Sequence, residues 1–420
     1  MVLNYIWIGF FLIAFAVGIV KIILFYSGFP EYGGMEVFPL MAKAAFDSAK
    51  VAVIDIGLPM VGVITFFMGI MKIGELGGMV NILAKLIGPF FQRVFPEIPK
   101  NHPAQGHIMM NFAANMLGLD NAATPMGLKA MQEMQNLNPN KETASNAQIM
   151  FLVLNTSGLT IIPINIMAQR AALGAANPSD IFIPLLIATF CSSLIGLIYV
   201  GIRQKIKFFD PVFLAYFGGI IALITGVVYY FTHLPKDEIE SVSNFASNFI
   251  LLSIIVSFIA LGFYRRINVF EAFVDGAKDG FGIVIKLIPY LVGLLVAIAI
   301  FRASGSLDFL LVGLKFVVEA FGLNSDFIPA MPVAFMKPLS GGGARALMLD
   351  IMSNKAYGPD SFAGRLACIF QGAADTTFFI LAVYYGSVGI KKTRYSAVGG
   401  LIADLAGVIA AIWIAYVFFH

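Results

Sequence analysis

Charge is scarce in this sequence. Of its 420 residues, 12% are Asp, Glu, Lys or Arg and 59% are hydrophobic, with a mean hydropathy of +0.87. Soluble domains carry about 25% charged residues. The deficit marks an integral membrane protein, and no soluble domain fits between the apolar runs. Cysteine is scarcer still. Cys191 and Cys368 both sit in apolar context without a neighbour at metal spacing, so neither a disulfide framework nor a thiolate metal site is expected. Histidine offers no more. His102 and His107 lie near the Pro96–Pro103 stretch with no third ligand at zinc spacing, which fits a surface or cavity role rather than a metal. There is no Ser-His-Asp constellation, no phosphate loop and no carboxylate pair placed for acid–base work, so the chain is not expected to be an enzyme. The net charge of +3 is too small to name a partner.

What is present is apolar length. A spanning helix needs about 20 apolar residues. Runs of that kind fall near Leu3–Tyr26, Val51–Met71, Ile181–Val200, Val212–Phe231, Phe249–Tyr264, Gly282–Phe301 and Val398–Phe418. Runs near Ile149–Met167 and Leu366–Tyr385 are interrupted by polar residues. The first run, from Val2, exceeds a signal-peptide core of roughly 7–15 residues and lacks a basic start, so it reads as a retained transmembrane helix. Glu36–Lys50 and Ile267–Gly280 mix charge with apolar residues and read as interfacial amphipathic helices.

Two stretches cannot span. Asn111-Phe-Ala-Ala-Asn115-Met-Leu-Gly118-Leu-Asp120-Asn121-Ala-Ala-Thr124-Pro125-Met-Gly127 is full of amides, glycines and helix breakers, and Lys337-Pro-Leu-Ser340-Gly-Gly-Gly343-Ala-Arg345 breaks the second half likewise. Non-helical backbone at membrane depth survives inside protein or beside a water-filled cavity. Two interrupted segments at matching places in two halves point to a transport site. Each reads as a re-entrant hairpin. In the first, Ala113, Ala114, Gly118, Ala122, Ala123 and Gly127 allow close packing, and either Leu119-Asp120-Asn121 or Thr124-Pro125 supplies the turn. In the second, Gly341, Gly342 and Gly343 supply close backbone approach at the tip.

Candidate binding residues follow. Asn111, Asn115, Asn121 and Thr124 can hydrogen-bond a polar solute, or can simply satisfy the broken backbone; Asn155 lies in the next polar break. Ser340, Lys337 and Arg345 flank the glycine run. Charges at this depth are expensive and face a cavity or each other. Asp350, five residues beyond Arg345, is one expected partner for it. Asp375, with Gln371 before it and Thr376 after it, lies inside an apolar run. It can bind a coupling cation (H+ or Na+), carry a proton, or pair with Lys337 or Arg345. No metal or organic cofactor is expected. Asp360-Ser361 reads as the cap of the helix that carries Arg365.

The halves repeat in order. Ala45–Lys50 resembles Ala272–Lys278, and proline-bearing helices follow at Pro59 and Pro289. Gly74-Glu-Leu76 matches Gly305-Ser-Leu307, and the pairs Pro96/Pro99 and Pro329/Pro332 precede the two broken stretches. Asn155-Thr-Ser-Gly158 then matches Gln371-Gly-Ala-Ala-Asp375-Thr-Thr377. Basic loops place 203–210 and 264–280 in the cytoplasm, and acidic 232–243 outside. Counting helices puts 174–180 outside and the residues after Lys391 inside. One linker helix between the units inverts the second. The expected fold is therefore an all-α integral membrane protein with two inverted-topology repeats, broken helices and re-entrant hairpins.

Asn115-Met-Leu-Gly-Leu-Asp-Asn-Ala-Ala-Thr-Pro-Met-Gly-Leu-Lys-Ala-Met131 is similar to the signature of the spore maturation A family. Pro338-Leu-Ser-Gly-Gly-Gly-Ala, Gly358-Pro-Asp-Ser361 and Tyr384-Tyr-Gly-Ser-Val-Gly-Ile-Lys-Lys-Thr-Arg-Tyr395 are similar to that of the B family. Both halves resemble the nucleoside-recognition "gate" family, named for likeness to the hairpin regions of concentrative nucleoside transporters. The resemblance implies two gate repeats, at 1–201 and 244–420, joined by a linker helix and loops at 202–243. It also implies a bacterial cytoplasmic (inner) membrane protein, linked in spore formers to spore-core dehydration. The chain departs from the B pattern at Lys337, where arginine is usual, and at Gln371–Asp375, where Gly-Ser-Thr-Glu is usual.

The expectation is a permease moving a small polar solute, with an anionic part, through a midplane site between the repeats. The rival is a non-transporting membrane scaffold, whose hairpins would pack dry. The expected partners are the lipid bilayer and a small-molecule solute, without nucleic acid; association into a homo-oligomer is left open.

Overall fold

A computed structural model describes residues 2–29, 34–118, 120–161 and 163–420. Among these residues the chain is all-helical apart from one isolated bridge between Thr143 and Lys392. Among the described residues eight helices are long and apolar enough to cross a membrane. The chain is a multi-pass membrane protein.

The order is α1 (Val2–Tyr26), then a first series: α2 (Val37–Lys50), α3 (Leu58–Leu76), α4 (Met79–Val94), α5 (Pro103–Met116), α6 (Asp120–Leu137), α7 (Asn146–Thr156), α8 (Ile164–Ala172) and α9 (Phe182–Arg203). Then come α10 (Pro211–His233) and α11 (Lys236–Tyr264). The second series is α12 (Val269–Ala303), α13 (Ser306–Ala320), α14 (Met331–Met336), α15 (Gly341–Ser353), α16 (Phe362–Gly372), α17 (Thr377–Ser387) and α18 (Ser396–Phe419). The series match element by element. Gly78 and Gly305 N-cap α4 and α13 with the same left-handed backbone, φ 85° and 83°. Gly305 thus corresponds to Gly78 rather than to Gly74.

The two proposed interfacial helices are not separate. Val37–Leu76 is one rod, continuous through a π-helical turn at Val51–Gly57. Pro59 explains the turn: its ring and missing N–H disrupt the ordinary i→i−4 ladder, and the Leu58 N–H reaches back to Val53 O instead. Ile267–Gly280 likewise runs into α12. The small residues of these segments are spent between the rods rather than on the bilayer surface. A Cβ on Gly280 would stand 2.9 Å from Thr65 Cα, and one on Gly57 would stand 2.9 Å from Ile288 Cγ1. Low numbers in α3 face high numbers in α12, so the corresponding rods pack antiparallel.

The closing helices of the series behave alike. Gly196 faces Ala403, Gly399 faces Tyr199 and Gly407 faces Ser192, so α9 and α18 also run antiparallel. Small residues let the backbones approach, as membrane interfaces favour, and Ser192 Oγ donates to Ala403 O at 2.8 Å.

Different chemistry closes the two ends of these helices. At one end Lys391 pairs with Glu142 at 2.7 Å, and Gln204 donates to Asn146 O and Tyr395 Oη. At the other, Arg170 is fully buried against Asp180 at 2.8 Å and Asp360 at 3.1 Å, with Arg365 on Asp180 at 2.7 Å. Ser361 caps α16 through Gly364 N, as the sequence suggests.

Candidate functional site

The site is built from four interruptions. The α5–α6 hairpin turns at Leu117–Gly118, where Gly118 has φ 72°. Thr124-Pro125 lies inside α6, which resumes at Asp120, so it does not supply the turn; the other expected position begins at Leu119, which lies outside the described residues. The α14–α15 hairpin turns at 337–340. Ser340 Oγ accepts the Gly343 N–H at 3.0 Å as the N-cap of α15. Gly341–Gly343 is therefore the first turn of a helix, not the tip: a serine cap satisfies free N–H groups and starts a helix immediately. The other two interruptions separate α7 from α8 and α16 from α17.

Broken backbone in a membrane must find partners, and these interruptions supply one another. The Asp375 N–H donates to Thr156 O at 2.7 Å, and the Ile161 N–H to Met116 O at 2.8 Å. The Phe378 N–H donates to Pro338 O at 3.1 Å. Thr189 Oγ1 donates to Gly158 O at 2.9 Å. Gly158 is required where it stands. Its φ is +59°, and a Cβ there would sit 2.8 Å from the Asp375 amide nitrogen. Gly341 has the same role beside Thr376, whose Oγ1 would lie 2.5 Å from an added Cβ.

Where the four breaks meet there is a cavity of about 320 Å³. Of the predicted site residues, Asn115, Thr124, Asn155, Lys337, Arg345, Gln371 and Asp375 line it. Asn115 Nδ2 donates to Asn155 Oδ1 at 2.9 Å, and Asn155 Nδ2 to Phe151 O at 2.9 Å. Gln371 Nε2 donates to Gly341 O at 3.3 Å, while its buried Oε1 has no partner among the described residues. Asp375 is exposed to the cavity, and its Oδ1 accepts the Thr376 N–H at 2.7 Å. Among the described residues it has no ion pair within 4 Å, so the expected pairing with Lys337 or Arg345 is not made.

The structure keeps other candidates out of the cavity lining. Asn111 is fully buried and ties the first hairpin together, donating to Ala123 O at 2.8 Å and to Tyr384 Oη at 3.4 Å. Ser340, Gly341, Gly342, Gly343 and Thr376 are not among the residues that line the cavity. The side chain of Asn121 lies outside the described residues. Asp350 pairs with Arg302 of α12, not with Arg345. Five residues turn a helix by about 140° beyond a full turn, which puts Arg345 and Asp350 on different faces.

Thr160, Asn165 and Tyr384 also line the cavity and were not anticipated. Asn165 and Thr160 are polar interruptions of an apolar run, a visible signal. A second cavity, about 290 Å³, shares Gly118, Asn165 and Arg345 with the first and carries Lys72, Glu75 and Asp279 farther along. The two adjoin at Arg345. A third cavity, of about 780 Å³ between α1, α12, α13 and α14, is almost wholly apolar.

These features define a helical membrane protein whose two halves meet at a polar cavity framed by broken helices. A nucleoside-recognition (Gate) family model matches residues 58–173 and 284–391, together more than half of the chain. The chain belongs to that family. It is also 44% identical to spore maturation protein B of Bacillus subtilis (strain 168) over 166 residues, 40% of this chain and 90% of that protein. It is 42% identical to spore maturation protein A of the same organism over 168 residues, 39% of this chain and 85% of that protein. The two matches fit both proteins joined in one polypeptide. No solved structure matches.

Proposed function

We propose that this protein is a permease of the bacterial cytoplasmic membrane. It moves a small polar solute with an anionic part through the cavity between two inverted repeats. The antiparallel packing of α3 on α12 and of α9 on α18 supports the inversion. The observation that carries the reading is the meeting of four helix breaks around one polar cavity holding Lys337, Arg345 and Asp375. Lys337 and Arg345 hold the anionic part, by charge-assisted hydrogen bonds of the stronger class. Asn115, Asn155, Asn165 and Gln371 orient the remainder, and Asp375 is where a coupling cation binds beside it. The alternative, a non-transporting scaffold of an envelope or spore-maturation-like complex, needs no cavity, and a polar cavity at buried helix breaks speaks for transport.

The test is a thermal-shift screen of the purified protein against nucleosides, organic acids and monovalent cations. A ligand at 100 times its Kd stabilises the folded state by about 2.7 kcal/mol. Stabilisation by an anionic compound, lost in Lys337→Met, supports the reading. Stabilisation by no compound, or equal stabilisation of wild type and both Lys337→Met and Arg345→Met, rejects it. Orientation is tested by cysteine accessibility at Ala175 and Thr393, which should label from opposite sides, Thr393 from the cytoplasm.

A further inference from the structure

A second membrane carboxylate lies behind the cavity wall. α18 is apolar from Val398 to Phe418 except for Asp404, a residue 5% exposed. Its Oδ2 accepts from Thr377 Oγ1 at 2.7 Å. Its Oδ1 is enclosed and has no partner among the described residues. No ion pair reaches Asp404 within 4 Å among the same residues.

The surroundings are hydroxyls and glycine rather than cations. A Cβ on Gly400, one turn before Asp404, would lie 3.1 Å from Thr377 Oγ1 and 3.2 Å from Thr156 Oγ1. Of the helices packed on α18, α7 brings Thr156, α17 brings Thr377 and α9 brings Ser192. Among the described residues no charged side chain of α10, α11 or α16 acts on it. The charged groups within electrostatic range are Lys337 and Asp375, one of each sign, so their effects oppose.

An ionised carboxylate in such a site keeps a half-charge on an oxygen with no donor, and buried charge without a partner is costly. Protonation removes that cost. Thr377 serves either form, because a hydroxyl both donates and accepts. It donates to the carboxylate, and it accepts from the acid at the same separation. Oδ1 then becomes a neutral carbonyl oxygen, far cheaper to leave alone.

We propose that Asp404 is a proton-binding site: it holds a proton at neutral pH, and its charge state is coupled through Thr377, Lys337 and Asp375 to the solute cavity. Only the coupling rests on the permease reading; the site itself does not. Thr377 opens α17 two residues after Asp375, so gain or loss of the proton is felt at the break that presents the cavity's carboxylate.

The test is infrared spectroscopy of the purified protein in lipid at neutral pH, without any solute. Wild type and Asp375→Asn should show the carbonyl stretch of a protonated carboxylic acid, shifted in heavy water. Asp404→Asn should lose it. Thr377→Val, which keeps the carboxyl, should shift the band by removing its hydrogen bond, and it keeps the test open if the asparagine variant fails to fold. Absence of the band in wild type, or its persistence in Asp404→Asn, overturns the proposal. So does thermal stabilisation by sodium ion in wild type that Asp404→Asn loses, which would make the site a metal-cation site. Failure of the permease reading leaves the band in place.

Discussion

The α5–α6 hairpin turns through Leu117–Gly118 and gives the cavity an amide and a hydroxyl, Asn115 and Thr124. The α14–α15 hairpin turns through 337–340 and gives it two cations, Lys337 and Arg345. The helix breaks behind the hairpins divide the same way: Asn155 and Thr160 stand on the first side, Gln371 and Asp375 on the second. A neutral wall thus faces a charged one. Amides satisfy each other, as Asn115 and Asn155 do at 2.9 Å, and stay in place without a ligand. The charged wall is where the proposed solute's anionic part would bind. The asymmetry suggests that the first half sets geometry and the second supplies affinity.

The comparison breaks most directly where the halves touch. Gly158 of the first half has φ +59° and would carry a Cβ 2.8 Å from the backbone of Asp375 in the second. Gly158→Ala should suffer about 1–2 kcal/mol from the left-handed backbone and about 1–3 kcal/mol more from overpacking. Gly174, with φ +75° and nothing within 4 Å, isolates the first contribution. Thermal denaturation of both variants should show Gly158→Ala clearly the worse. Equal shifts would mean the two breaks do not press on each other.

The buried ion cluster at one end comes next. Arg170→Met takes the buried cation from Asp180, which keeps Arg365 alone, and from the partly exposed Asp360, a change worth about 3–5 kcal/mol in comparable buried pairs. Lys391→Met at the opposite end breaks a pair whose side chains are 73% and 61% exposed, and should cost no more than about 1 kcal/mol. A similar loss of thermal stability in both would show that the two ends are not closed by different chemistry.

How much of this could be read from the sequence depends on what each feature requires. The spans were legible because hydropathy needs no tertiary knowledge. The broken stretches were legible because amides and glycines have no place in lipid. Their exact turns were not: Gly341–Gly343 looks like a flexible tip until Ser340 is read as a cap. The continuity of α2 into α3 was hidden because the change at Lys50 from a charge-bearing segment to an apolar run reads as a boundary, while the backbone runs on through a π-turn. Asn111 and Asn115 are one helical turn apart and chemically identical, yet one lines the cavity and the other lies under Tyr384; tertiary packing alone separates them. Asp404 is a single carboxylate in an apolar run, but no motif surrounds it to mark it as a site.

The charged wall is sharpened by ligand affinity. A hydrogen bond to a charged group contributes about 1.5–3 kcal/mol, or about 10–100-fold in Kd. Lys337→Met should weaken binding of the compound found by thermal shift by that factor, and Asn115→Ala by less, about 0.5–1.5 kcal/mol for a neutral bond. Greater loss in Asn115→Ala would reverse the roles assigned to the two walls.

Tyr384 tests whether the walls are joined. It stands on α17 of the second half, is 4% exposed, and packs its ring on Phe151 of the first half at 5.5 Å between centroids. Its hydroxyl accepts from Asn111 Nδ2 at 3.4 Å, a long bond, while Asn111 also donates to Ala123 O at 2.8 Å. Gly127 leaves room for it, since a Cβ there would collide with the hydroxyl. Tyr384→Phe keeps the ring contact, worth about 0.5–1.5 kcal/mol beyond area burial, and removes a bond at the limit of hydrogen-bond length. Stability should therefore fall by less than about 1 kcal/mol. Because the side chain also lines the cavity, ligand affinity reports on it separately. A change in Kd with stability unchanged would place the hydroxyl on the solute. A stability loss above about 2 kcal/mol, of the size expected when a buried donor is stranded, would show instead that Asn111 depends on this bond to hold the first hairpin against the second half.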